Sequence, residues 1–184
     1  MLLHRSQVIC CLLSVTLMSI CSSAKAIDDK TWEDISNYGI FSLVSAAFVV
    51  PSTKGDWEGM GQAAYSLASA QVLAQIGKGV IHERRPDKSD NNSFPSGHTA
   101  TAFAAATTLH RRYGWKTGFP AYAIATLTGA ARVGARKHHW HDVITGGAIG
   151  AVSGWFFTDK FSEKVQIVPW ADTKSLGVQV TMIW

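Results

Sequence analysis

Three short stretches of the chain hold residue types suited to oxyanion chemistry. Lys78 is followed by Arg85-Pro86, then comes Pro95-Ser96-Gly97-His98, and Arg132, His138 and Asp142 complete the set. The guanidinium groups of Arg85 and Arg132 grip tetrahedral oxygens in bidentate fashion, and Lys78 adds a third positive charge. Ser96 offers a hydroxyl, and Gly97, lacking a side chain, lets its backbone N–H come close to an anion. A helix opening at Pro95-Ser96 would aim further unpaired N–H groups and its positive dipole end at the same place. Phosphate is the obvious ligand.

Two histidines supply the rest of a reaction. His138 and Asp142 are four apart, so on a helical turn the carboxylate holds one ring nitrogen and leaves the other nucleophilic. His98, at the mouth of the anion site, is placed to protonate a leaving oxygen. One histidine attacking phosphorus while another protonates the leaving group is phosphoryl transfer through a phosphohistidine. The three cations neutralise the charge, so the expectation includes no cofactor and no metal.

Singly, each residue has a plainer reading. Lys78 and Arg85 would be solvated charges, Pro86 a helix stop, and Ser96-Gly97 a cap. Arg132 would neutralise terminal carbonyls, and Asp142 would cap a helix. Their joint occurrence at the spacing of a known enzyme family reverses that balance toward catalysis.

The set closely resembles the type 2 phosphatidic acid phosphatase superfamily. Its first motif, Lys, six residues, Arg-Pro, is matched by Lys78 and Arg85-Pro86, and its second by Pro95-Ser96-Gly97-His98. Its third, Ser-Arg, five residues, His, three residues, Asp, is matched by Arg132, His138 and Asp142, with Ala131 where the pattern has Ser. The resemblance implies that Lys78, Arg85, Ser96, Gly97 and Arg132 bind phosphate, that His98 is the acid, and that His138 and Asp142 form the nucleophile pair. The departure at Ala131 puts a hydrogen bond in doubt rather than the activity. His82, Arg84, His139 and His141 match no motif position and receive no role.

These residues need elements to carry them, and the pattern is helical. Thr31 and Asp34 have capping-box spacing before an apolar segment that Pro51-Ser52 stops. A second helix starts near Asp56 and runs through Leu67, Leu73, Ile76 and Val80 to Pro86. A third runs from Pro95-Ser96 to Gly114, a fourth from Pro120 to about Val133, and a fifth from Asp142 to about Thr158. The stretches 164–170 and 177–184 alternate like two short strands joined by a polar turn. The expected fold is all-α: an antiparallel bundle of about five core helices with a short C-terminal β-hairpin. Antiparallel helices would bring the three motifs to one end.

Residues 1–26 read as a signal peptide and 27–184 as one phosphatase domain with its core motifs at 78–142. His4 and Arg5 precede the apolar run from Val8 to Ile20, and Ala24-Lys25-Ala26 offers a cleavage site. That places the domain outside the cytoplasm, in the periplasm, soluble or at the membrane face. Cys10, Cys11 and Cys21 all leave with the signal, and losing Arg5 and Lys25 lowers the net charge from +4 to +2. So small and scattered an excess does not by itself imply nucleic acid, and none is expected as a partner. Hydrophobic residues at 47% exclude a disordered or fibrous chain. Gln62, Gln71 and Gln75 interrupt the second helix, which with the third falls short of the ~20 apolar residues of a membrane span. The helices therefore favour a soluble or peripheral bundle, although Arg111, Arg112 and Lys116 cluster in what reads as one loop, as in an inside-facing loop. Trp57, Trp115, Trp155 and Phe156-Phe157 read as core or interface packing, and Trp140 as a wall of the pocket.

The leading function is hydrolysis of a phosphate ester: a lipid phosphate or polyprenyl diphosphate at a membrane surface, or a small soluble phosphoester as in non-specific acid phosphatases. Vanadate-dependent halide oxidation uses the same residues in a related branch with much longer chains. A non-enzymatic alternative is a metal-binding module built on His138, His139, His141 and Asp142.

Overall fold

The computed structural model describes residues 27–161, 165–172 and 175–182. The signal-peptide reading of residues 1–26 lies outside the described residues. Five helices follow in order: α1 (Asp29–Thr53), α2 (Trp57–Val80), α3 (Gly97–Tyr113), α4 (Trp115–Gly134) and α5 (Trp140–Phe157). Strands β1 (Val165–Asp172) and β2 (Ser175–Met182) then pair antiparallel, from Val165 opposite Met182 to Asp172 opposite Ser175. The all-α bundle and its hairpin are as expected.

Several boundaries differ from the sequence reading, each for a local reason. α1 starts ahead of Thr31 because Asp28 accepts the Thr31 N–H at 2.6 Å and caps the helix instead. It also runs through Pro51 to Thr53, since a proline in a last turn forfeits only one intrahelical bond. Asp56 caps α2 as expected, accepting from Gly59 N at 2.9 Å. α2 then ends at Val80, well before Pro86. The following loop prefers its own backbone bonds, Ser93 N to Glu83 O at 2.9 Å and Arg85 N to Asp90 O at 3.0 Å. Arg85-Pro86 therefore sits in a loop and not at a helix end.

α4 begins at Trp115, ahead of Pro120. Only Gly114 separates it from α3, with φ at 83°, a left-handed conformation that suits glycine. Arg111 and Arg112 thus lie on α3 and Lys116 on α4, so they form no basic loop. Arg112 is buried and grips Asp56 through Nη2 at 2.5 Å and Nε at 2.6 Å, tying the end of α3 to the start of α2. α5 begins at Trp140 because Asp142 works from its third position, where Oδ2 accepts the His139 N–H at 2.8 Å.

α3 lies at the centre and packs against each of the other four helices. Ala100, Ala102, Ala104, Ala105 and Ala106 are all fully buried, so the core is made by close backbone approach more than by large side chains. α5 supplies the matching surface with Gly146, Gly150 and Gly154. A Cβ at Gly146 would strike the Ser96 carbonyl, and one at Gly150 the Ala100 carbonyl. This contact seats the first turn of α5 beside the first turn of α3, where Ser96 N donates to Asp142 O at 3.0 Å.

The outer surface is apolar over much of the bundle. Phe41 on α1, Ile76 on α2, Phe119 on α4 and Ile144 and Phe156 on α5 are all exposed, Phe156 by 79%. Trp57, Trp115 and Trp155 are exposed too, so the core half of that expectation does not hold for them. α1 is, among the described helices, the one long and apolar enough to cross a membrane. An exposed apolar surface of this extent marks an interaction face.

Candidate active site

The bundle brings the three motifs to one end. α2 and α4 finish there, α3 and α5 start there, and the loop 81–96 closes over it. Arg132, in the last turn of α4, is 4% exposed; its Nη1 donates to Ser36 Oγ of α1 at 3.3 Å. Its Nε has no hydrogen-bond partner among the described residues. Lys78 Nζ donates to Asn92 O at 2.6 Å, and Arg85 donates from Nε to Asp90 Oδ1 at 2.7 Å and from Nη1 to Lys137 O at 3.2 Å. The loop therefore orients Lys78 and Arg85, and α1 orients Arg132, while donor positions stay open for a ligand.

The pocket's electrostatics follow from this crowding of positive charge. Burial pushes the His98 imidazolium down to about 4, and the charges of Arg132, Arg85 and Lys78 add to the effect. Burial and the same three cations push His138 down to about 3. Lys78 is lowered by burial and then by Arg85, and Arg132 by burial and then by Arg85. Without an anion the site thus holds two neutral histidines among cations.

Asp142, at no exposure, is the negative counterpart. Burial works to raise its carboxyl, but the Ser93 hydroxyl, the His139 N–H and the neighbouring histidines outweigh it and hold it below the ordinary range. Its Oδ2 lies 3.5 Å from His138 Nδ1, which makes no hydrogen bond in the present geometry. Such pairs in unliganded sites are often loose. The pairing expected from the i, i+4 spacing is in place as a contact, with His138 Nε2 left as the other ring nitrogen.

Ser96 and Gly97 open α3. Ser96 is fully buried as the N-cap, its Oγ 2.9 Å from Thr99 Oγ1. A Cβ at Gly97 would lie 3.5 Å from Gln71 Oε1, an ordinary contact, so the fold itself does not demand glycine there. His98 is half-buried, and its Nε2 donates to Asn37 Oδ1 of α1 at 3.1 Å. Trp140 points away from this role: it is 60% exposed and lines a separate cavity of about 450 Å³ with Phe103, Val143 and Ile144. Ala131 is fully buried at the position where the family pattern has Ser.

The structure also adds residues that the sequence reading missed. Ser93 Oγ donates to Asp142 Oδ2 at 2.5 Å, and Ser36 and Asn37 hold Arg132 and His98 from α1. None belongs to a spaced motif, and Ser36 and Asn37 lie 96 and 61 residues from their partners, so the chain carries no local signal for them. Glu83, His139, His141 and Asp142 offer ligand atoms that all lie within 4.8 Å of one another. The metal-binding set drawn from sequence is thus revised, with Glu83 in place of His138.

A family model described as the PAP2 superfamily matches residues 59–166. A lipid A 1-phosphatase of Porphyromonas gingivalis is 38% identical over 94 residues, half of this chain and 21% of that protein. A lipid A 4'-phosphatase of Helicobacter pylori is 33% identical over 120 residues, 59% of this chain and 61% of that one. This chain thus spans about a fifth of the first relative and about three fifths of the second. The crystal structure of Aquifex aeolicus LpxE superposes with a TM-score of 0.58 at 25% identity, covering 70% of this chain and 84% of that one. A transmembrane PAP2-type phosphatidylglycerolphosphate phosphatase from Bacillus subtilis shares the fold, at a TM-score of 0.57 and 22% identity over 70% of this chain and 74% of that one. With the matched model covering more than half of its length, the chain belongs to the PAP2 superfamily.

Proposed function

We propose that the protein is a phosphoric ester hydrolase acting on a phosphorylated lipid at the periplasmic membrane face. The observation that carries this reading is the placement of His138 and Asp142 beside Arg132, Arg85 and Lys78 at one end of the bundle. The exposed apolar flanks and the lipid A phosphatases among the relatives favour a lipid over a small soluble ester. Residues 1–26 supply the reading of export.

The chemistry follows from the charges. A phosphate ester entering among the three cations brings negative charge beside His98, raises its proton affinity and turns it into an acid. His138 Nε2 attacks phosphorus, forming an N–P bond as the ester P–O bond breaks. His98 gives its proton to the departing alkoxide, and Asp142 supports the positive charge on His138. In the second half, neutral His98 takes a proton from water, the hydroxide attacks phosphorus, and the N–P bond breaks. Inorganic phosphate leaves and both histidines return to their starting forms. No step calls on a metal.

The test is phosphate release from a panel of phosphorylated lipids and soluble esters, with His138→Ala alongside and with and without EDTA. The proposal expects release from lipid substrates that survives EDTA and is abolished in the variant. Full activity in His138→Ala would refute the mechanism, and a clear preference for soluble esters would refute the substrate class.

A further inference from the structure

We propose that Glu83, His139, His141 and Asp142 bind one divalent transition-metal ion of the zinc class, and that the bound ion slows the phosphatase through the shared Asp142 carboxylate. The inhibitory half rests on the phosphatase reading; the binding half does not.

Geometry carries the site. Tetrahedral zinc, with ligand bonds of about 2.0–2.2 Å, sets its ligand atoms about 3.3–3.6 Å apart. Here His141 Nε2 lies 2.8 Å from Glu83 Oε1 and 3.1 Å from Asp142 Oδ1. His139 Nδ1 lies 3.1 Å from Glu83 Oε1 and 3.4 Å from Asp142 Oδ2. With Glu83 Oε1, His139 Nδ1, His141 Nε2 and Asp142 Oδ1 as ligand atoms, three pairs already stand at 2.8–3.1 Å, and one ligand atom from each residue lies within 4.8 Å of the others. Two histidines with two carboxylates also suit zinc chemically.

His141 Nε2 donates to the Glu83 carboxylate at 2.8 and 3.0 Å, but hydrogen bonding leaves the rest of the cluster unsatisfied. Asp142 Oδ1 and His139 Nδ1 are both buried without a hydrogen-bond partner among the described residues. Asp142 Oδ2 is committed to Ser93 and the His139 N–H, which fixes the carboxylate and leaves Oδ1 toward His141. That is the arrangement by which outer hydrogen bonds orient a metal-binding carboxylate. The His141 side chain is 57% exposed, so an ion reaches the cluster from solvent. Glu83 comes from the loop after α2, so the ligands are drawn from two separate stretches of the chain.

The link to catalysis is the carboxylate itself. Asp142 Oδ2 faces His138 Nδ1 at 3.5 Å while Oδ1 faces the cluster. A dication drawing on Asp142 weakens the support that the carboxylate gives His138 as positive charge develops on the ring.

The experiment uses the full chain in detergent, stripped with EDTA, exchanged into chelator-free buffer and titrated with ZnCl2 by calorimetry, with phosphatase rates measured in parallel. One zinc per chain is expected, with affinity about tenfold or more weaker in each of Glu83→Gln and His141→Asn. Saturating zinc should lower the wild-type kcat about tenfold, reversibly by EDTA, while both variants keep the metal-free rate and escape inhibition. Unchanged zinc affinity in both variants would overturn the site, and equal zinc inhibition in both would overturn the coupling. Calorimetry needs no turnover, so zinc binding through Glu83 by a chain that hydrolyses no phosphate ester would refute the phosphatase reading and leave the site standing.

Discussion

The Ser93 hydroxyl donates to Asp142 Oδ2 at 2.5 Å, joining the loop after α2 to the first turn of α5 across 49 residues of chain. Both groups are fully buried, and the same oxygen faces His138. Ser93 therefore aims the carboxylate at the histidine. Ser93→Ala is expected to lower kcat about 10- to 100-fold with KM nearly unchanged, because phosphate-binding groups stay in place. Steady-state kinetics on Ser93→Ala and Ser93→Thr check this, with partial recovery in the threonine variant.

Two glycines of the site end should respond in opposite ways. At Gly97 an added Cβ meets only an ordinary contact with Gln71, so Gly97→Ala should fold normally and lose affinity for phosphate or vanadate. At Gly146 the added Cβ overlaps the Ser96 carbonyl, so Gly146→Ala should cost about 1–3 kcal/mol by forcing α5 off α3. Thermal unfolding with and without vanadate separates the two.

His98 gives stability a defined pH dependence. Its folded-state value of about 4 lies below the ordinary 6.5, so the unfolded chain takes up this proton first as pH falls. The contribution is complete above about pH 6.5 and is lost as pH falls toward 4, with a slope of up to about 1 kcal/mol per pH unit. His98→Asn should flatten that part of the curve in anion-free buffer. An unchanged slope would show that His98 is not held neutral.

The motifs were legible in sequence because each is local: Lys78 to Arg85, Pro95 to His98 and Arg132 to Asp142 each sit within a dozen residues. The bundle was legible too, because helix starts such as Asp56 and Ser96 carry their own capping side chains. What was not legible depends on tertiary contact. Pro51 and Pro120 read as boundaries, yet both lie inside helices whose ends are set by Pro51 O accepting from Lys54 and by the backbone of Gly114. Asn37, Ser36 and Ser93 acquire meaning only when α1 and the loop reach the site. Arg112 looked like a loop charge because its partner Asp56 is 56 residues away.

That distant pair should matter for stability and not for catalysis. Asp56 receives both Arg112 nitrogens and the Tyr113 hydroxyl at 2.6 Å, at the end of the bundle opposite the site. Asp56→Ala leaves the buried guanidinium with only Gln62 Oε1 and the Asp159 carbonyl as hydrogen-bond partners and should cost about 3–5 kcal/mol, while KM for substrate stays unchanged in protein that remains folded. Chemical denaturation paired with kinetics on the folded fraction reads both quantities.

The central claim is that His138 carries phosphate during turnover. The direct measurement is a rapid quench of the enzyme with a substrate labelled in its phosphate, followed by digestion and mapping of bound label under alkaline conditions that preserve phosphohistidine. The account predicts label on His138, appearing within one turnover and absent in His138→Ala. Label on another residue, or turnover at the wild-type rate with His138 replaced, would contradict it.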